Sequence, residues 1–181
     1  DMDIDLEIVR PNYFYNEFGK NNIFYVDTHL IGTLNNFTTH NLKLIDKNQS
    51  EIIGTANFRN LFGKGNQEFY MKGNFDRITS NYEDLKSILP RILGSNLPSV
   101  LSKLGNVNIA GDVELTQKYI NTNVTMLSQL GYLEGNLAMQ NINNIDNASY
   151  QGNIKLDAFD LGTLLSQNDI GKASLDLDVD G

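Results

Sequence analysis

The chain has no cysteine and only two histidines in 181 residues. The missing thiols remove disulfide frameworks, thiol catalysis and cysteine-based metal sites. They leave the compartment open, because a reducing interior and a disulfide-free periplasm are equally compatible with such a chain. No apolar run is longer than a few residues, far short of the roughly 20 that an α-helix needs to cross a bilayer. The opening Asp1-Met2-Asp3 has neither the basic region nor the apolar stretch of a signal peptide. There is no Lys- or Arg-rich stretch either: 14 basic against 22 acidic side chains give a formal charge of −8. An acidic surface of that kind repels a phosphate backbone, so no nucleic-acid partner is expected.

The residues present describe a globular chain, 40% apolar and long enough to bury a core. Met2, Ile4, Leu6 and Ile8 alternate with Asp1, Asp3, Asp5 and Glu7. That period of two puts the apolar side chains on one face of a strand and the carboxylates on the other. The period returns around Ile23 to Leu34, Leu42 to Ile45 and Glu68 to Phe75. Asn- and Gly-rich turns such as Asn21-Asn22 and Lys64-Gly65-Asn66 lie between these stretches. Asp1 to Arg10 and Ala173 to Gly181 each read as a whole strand with no turn beyond it. The sequence is therefore expected to be an internal fragment, with unpaired end strands able to associate with a second copy.

Residues 80 to 104 change period. Leu85, Ile88, Leu89, Ile92 and Leu93 follow the spacing of an amphipathic helix, and Ser80 with Glu83 forms a capping box. Pro90 is expected to kink this helix and Gly94 to end it. Asn96 and Pro98 then open a second short turn carrying Leu97, Val100, Leu101 and Leu104 before Gly105. The expected organisation is a β segment over 1–78, a helical insertion or cap over 79–105, and a β-repeat segment over 106–181, all parts of one sheet.

The last segment carries a quasi-repeat: Gly111-Asp-Val-Glu-Leu115, Gly135-Asn-Leu-Ala-Met139, Gly152-Asn-Ile-Lys-Leu156 and, with Ala for Gly, Ala173-Ser-Leu-Asp-Leu177. In each unit the first residue shares a face with the two apolar ones. A glycine there admits strong curvature or the close approach of another group to the backbone, which makes the apolar face concave. Spacings of about 20 residues suit an out-and-back pair of strands, with Val124 and Met126 on the intervening ones.

Candidate chemistry is sparse. His29 lies in an alternating strand and neither histidine has a cysteine partner, so a triad or metal site is not expected. Asp176-Leu-Asp178-Val-Asp180-Gly181 matches the first half of a calcium loop. Leu175, Leu177 and Val179 alternate through it, however, and a solvated strand face accounts for it better. Gly63-Lys64-Gly65 lacks the spacing of a phosphate loop. The triplets at Asn36, Asn48, Asn123 and Asn147 fit the glycosylation pattern but arise by chance in a chain so rich in asparagine. The stripe from Leu85 to Leu93 lacks the basic flank of a membrane-surface helix and is read as packing on a sheet. No enzyme, metal or cofactor is expected.

The run Leu97-Pro-Ser-Val-Leu-Ser-Lys-Leu-Gly-Asn-Val-Asn-Ile-Ala-Gly111 is followed by Leu130-Gly-Tyr-Leu-Glu-Gly135, Tyr150-Gln-Gly-Asn-Ile-Lys-Leu156 and Phe159-Asp-Leu-Gly162. In this order and spacing the pattern resembles the TamB family, the translocation and assembly module subunit with AsmA-like relatives, particularly the forms of Bacteroidota. The likeness is best over residues 75 to 181 and weaker in the Asn-rich first 70. It implies a mainly β fold: an elongated, curved antiparallel sheet forming a half-open β-taco trough, anchored in the inner membrane and crossing the periplasm. It further implies phospholipid as cargo, a BamA-like outer-membrane barrel subunit as partner, and roles in lipid transfer or in outer-membrane protein assembly and secretion. On that reading acyl chains lie against Val107, Ile109, Val113, Leu115, Leu133, Leu137, Met139, Ile154, Leu156, Leu175 and Leu177. The competing expectation is a structural β-repeat scaffold whose alternation fills a closed, dry core without lipid.

Overall fold

In the computed structural model residues 2–9 are described by their backbone, and residues 23–62, 68–88, 97, 99–142, 147–167 and 169–181 with side chains. Among the described residues ten strands form one antiparallel sheet in strict sequence order. They are β1 (Met2–Val9), β2 (Ile23–Thr33), β3 (Asn36–Asp46), β4 (Glu51–Arg59) and β5 (Tyr70–Asn81), then β6 (Asn106–Thr116), β7 (Tyr119–Ser128), β8 (Gly131–Gln140), β9 (Ser149–Asp160) and β10 (Lys172–Asp180). Among the described residues the sheet is open and does not close into a barrel. The chain has 10534 Å² of accessible surface, against roughly 8,800 Å² for a compact chain of this mass.

The alternation that predicted the strands also sets their faces. β4 is the strand the pattern did not single out, because its inward positions Ile52, Gly54, Ala56 and Phe58 include two small residues that dilute the signal. β3 bears a bulge at Asn41, in the left-handed region, where two residues of β3 oppose one of β2. Beyond the bulge Leu42, Leu44 and Asp46 return to the inner face. Asp46 is buried, and its carboxylate accepts from the backbone N–H groups of Asn48 and Ser50, both at 2.8 Å, which ties the β3–β4 turn.

The helical insertion sits between β5 and β6, which pair directly with each other. Helix α1 (Tyr82–Ile88) begins one residue later than the capping box implied. Ser80 is held inside β5 opposite Val107, where its hydroxyl lies 2.8 Å from that of Ser50. Asn81 caps the helix instead, accepting from Asp84 N–H at 3.0 Å. Leu89, Pro90, Ile92, Leu93, Gly94, Asn96 and Pro98, and the expected turn at Lys64 to Asn66, lie outside the described residues. The second turn is a 3₁₀ helix, Ser99–Leu104, with Leu104 buried.

Helix α2 (Leu161–Leu165) joins β9 to β10. Asp160 caps it, accepting from the Thr163 N–H at 2.9 Å and the Thr163 hydroxyl at 2.8 Å. These two bonds, the backbone one foremost, hold the Asp160 carboxyl below its usual range.

Candidate apolar groove

Register turns the alternation into rows that cross the sheet. One row is apolar on every strand from β2 to β10: Val26, Leu44, Ile52, Ile78, Ile109, Met126, Leu133, Leu156 and Leu175. With strands about 4.8 Å apart, it runs for roughly 38 Å. A second row places glycines beside large residues: Leu42, Gly54, Phe75, Gly111, Val124, Gly135, Ile154 and Leu177.

These glycines answer to the backbone. A Cβ on Gly54, Gly111 or Gly152 would collide with the carbonyl oxygen of Asn74, Asn123 or Asn136 on the facing strand, and one on Gly135 would lie 2.7 Å from that of Asn153. Gly54 and Gly111 also adopt φ of +159° and +128°. What approaches each glycine closely is the neighbouring strand itself, a close backbone approach that a side chain would prevent. On the opposite face a polar line is traced by Asn74, Asp112, Asn123, Asn136, Asn153 and Asp178, one per strand from β5 to β10. Asn74 Nδ2 donates to Asp112 at 2.9 Å, and Asn153 Nδ2 donates to Asp176 at 2.8 Å and Asp178 at 3.3 Å.

The quasi-repeat is only partly an out-and-back pair. Gly111 and Gly135 share a row through Val124 of the intervening β7. The next two units occupy consecutive strands, so Gly152 runs in the opposite direction and faces Leu137. The repeat spans one strand there because β8, β9 and β10 follow one another without an intervening strand.

Two buried clusters lie along this face. The first gathers Ala56, Met71, Phe75 and Leu115 with Leu61, Phe69 and Ile142 from the connections. The second joins Val107, Met126, Leu130, Leu156 and Phe159 to Leu104, with Leu101, Leu161 and Leu164 packed against it. The 3₁₀ helix and α2 thus roof the strand ends of β6–β9. Lys103 fastens them to each other, its Nζ donating to Leu164 O at 2.7 Å and to Ser166 Oγ at 2.5 Å.

All eleven residues expected to line the groove lie on this one face, in unequal environments. Val107, Leu115 and Leu156 are buried in the two clusters. Ile109, Val113, Leu133, Leu137, Met139 and Ile154 are half-buried. Leu175 and Leu177, on the outermost strand β10, are 38% and 40% exposed. The pattern did not single out Val26, Leu44, Ile52, Phe75, Ile78, Val124 or Met126 as lining residues. Their own alternation marks them, but only register shows that they continue the same rows.

Apart from the buried Asp46, the ion pairs of the sheet lie on the other face. Glu51 pairs with Lys43 and Arg77, at 4.0 and 2.5 Å, and Glu114 with Lys72 at 3.9 Å. Glu114 also accepts from the Tyr119 hydroxyl at 2.8 Å. Burial first, and then this bond, push the tyrosine up to about 12. His29 and His40 are directly opposed across β2 and β3, with ring centroids 6.3 Å apart. Among the described residues no three or more His, Asp or Glu side chains converge as a metal site would require. Comparison of the chain with protein-family models, curated proteins and solved structures gives no match in any of the three.

Proposed function

We propose that this chain is a non-catalytic segment of a periplasmic lipid-transfer protein whose bent apolar face carries phospholipid acyl chains between the inner and outer membranes. The observation that carries this reading is the unbroken apolar row from Val26 to Leu175, half-buried from Val26 to Ile109 and at Leu133, with no second sheet across it among the described residues. A row of roughly 38 Å exceeds the ~15 Å thickness of one leaflet's hydrocarbon, so it suits a path better than a single binding site. Each methylene that leaves water contributes about 0.8 kcal/mol, and no polar group need recognise the cargo. The resemblance to the TamB family supplies the remaining context: an inner-membrane anchor, a BamA-like barrel partner and a place in envelope biogenesis.

The alternative is a β-repeat scaffold that assists outer-membrane protein assembly or secretion without binding lipid. The tight packing of Val107, Leu115 and Leu156 favours it, since those side chains already have partners.

The deciding experiment is mass spectrometry of organic extracts from the purified chain, beside the double variant Val124→Asp, Leu137→Asp and the peripheral variant Leu177→Asp, each confirmed folded by circular dichroism. The first two positions avoid the buried members of both clusters; the third lies on the outermost strand. Phospholipid that co-purifies with the chain and is lost in the folded variants supports conduction. Absence of lipid from the unsubstituted chain overturns it in favour of the scaffold.

A further inference from the structure

The chain's only two histidines meet on the face away from the apolar rows, a juxtaposition independent of whether the groove carries lipid. His29 and His40 are direct register partners across β2 and β3. Both are half-buried, and their rings lie 6.3 Å apart between centroids with their planes at 47°. The bulge in β3 produces this pairing. In an uninterrupted strand His40 would share the inner face with Leu42 and Leu44. The extra residue Asn41, at a φ of 52°, turns His40 outward while Thr39 and Leu42 on either side of it both stay buried. From the inner side the buried Thr28 hydroxyl donates to the His40 carbonyl at 3.0 Å, which holds the bulged backbone in place.

Two imidazoles without a thiolate are a donor set that suits divalent first-row transition cations. Two imidazoles on one such ion, each with a nitrogen at about 2.0–2.1 Å, hold their ring centres roughly 5 Å apart in a tetrahedral arrangement and a little over 6 Å when they stand opposite each other. The spacing of 6.3 Å lies at the wide end of that range, and rotation of the two side chains narrows it without moving the backbone. Only one nitrogen of each ring is engaged; the other is left to a protein partner, the arrangement that orients ligating histidines in metal sites. The surroundings favour a cation. Register sets the backbone of Asp3 opposite His29, Asp27 precedes His29 by two positions on the same face, and the chain carries a formal charge of −8.

We propose that His29 and His40 form a two-imidazole chelate for a divalent transition cation of the Zn²⁺, Ni²⁺ or Cu²⁺ type, bridging β2 to β3 with water in the remaining positions. Three or more protein ligands would make a closed structural site; a pair makes an open one whose ion exchanges. The ion meets both rings only in the folded register, so it stabilises the pairing of the two strands as its concentration rises above Kd. The carboxylates elsewhere on this face are a poorer site for it. Their oxygens suit Ca²⁺ and Mg²⁺, and Glu51 and Glu114 already pair with Lys43, Arg77 and Lys72.

Titration of the full chain with Zn²⁺, after purification without a polyhistidine tag and removal of metal by a chelator, tests this through the imidazole resonances. Zn²⁺ is expected to shift both rings together and to saturate at one ion per chain, whereas Ca²⁺ shifts neither. His29→Gln and His40→Gln, each confirmed folded by circular dichroism, weaken Zn²⁺ binding about tenfold or more by calorimetry, because a chelate that loses one arm loses its effective concentration. Zn²⁺ also raises the urea midpoint of the unsubstituted chain and leaves that of either variant where it was. If a variant does not fold, the ring shifts of the unsubstituted chain decide the matter. Shifts at one ring or at neither, an equal response to Ca²⁺, or undiminished Zn²⁺ affinity in the folded variants overturns the proposal.

Discussion

The carbonyl oxygen of Asn123 occupies the space that a side chain on Gly111 would fill. Gly111 on β6 faces Val124 on β7, and its φ of +128° tips the missing Cβ toward the preceding carbonyl. The same relation links Gly54 with Asn74 and Gly152 with Asn136, so at three glycines the facing backbone fills the place of a side chain.

Gly111→Ala is expected to cost roughly 2–4 kcal/mol, combining an unfavourable φ with a backbone overlap that no rotamer relieves. Gly171→Ala, where nothing lies within 4 Å of an added Cβ, changes stability by no more than about 0.5 kcal/mol. Urea unfolding of both variants checks the contrast, and equal losses would refute the overlap as the cause.

Asp46→Ala removes the acceptor for two backbone donors at the β3–β4 turn, of which the Ser50 N–H is buried. The expected loss is about 2–3 kcal/mol, with Asp46→Asn intermediate because its amide oxygen still accepts. Denaturant midpoints of the two variants should fall in that order.

Tyr119 is expected to titrate at about 12 in the folded chain, raised from its ordinary 10.0 by burial and by Glu114. A raised folded value means that the stability linked to the neutral phenol is complete below pH 10 and is lost as pH rises toward 12. Tyr119→Phe removes that portion of the alkaline loss. Comparing the alkaline limbs of the two unfolding curves, with phenolate absorbance as the direct monitor, measures it.

Asp160 shows the opposite sign. Its folded carboxyl is held below the ordinary value of 3.8 by Thr163, so the stability it contributes is present above that value and is lost as pH falls through the folded one. Asp160→Ala should therefore exchange faster than the unsubstituted chain in α2 at neutral pH, and the difference should vanish in strong acid. A difference that persisted there would point to packing instead of the cap.

Lys103→Met keeps the aliphatic stem and removes both bonds that fasten the 3₁₀ helix to α2. A loss of about 1 kcal/mol is expected, with faster amide exchange confined to Ser99–Leu104 and Leu161–Leu165. Uniform acceleration across β6–β9 would mean that the roof is part of the core itself.

Much of the fold could be read in advance because strand alternation is local. Met2 to Ile8, Tyr70 to Phe75 and Leu175 to Val179 each declare which side is apolar within a few residues. β4 escaped notice because Gly54 and Ala56 carry too little apolar surface to register, although both face inward. The cap of α1 moved to Asn81 because Ser80 is committed to a strand and to Ser50, a partner thirty residues away. The apolar face was legible through the eleven named residues, but not the different environments along it. Nothing local separates Leu156, packed under Phe159, from Leu175 one strand farther out.

By itself the sequence determined the alternation, the sign of the exposed face, the helical interruption between two β stretches and the place of the glycines, because each depends on neighbours within about ten residues. Tertiary structure alone decided the register. Register placed Gly111 against Asn123 and aligned one asparagine or aspartate per strand from β5 to β10 on the opposite face. It also chose which leucines are covered and which lie open. The physical reason is that a strand carries a two-residue period and no address: which residues stand side by side across a sheet is fixed only when turns, bulges and close backbone contacts pin each strand to the next.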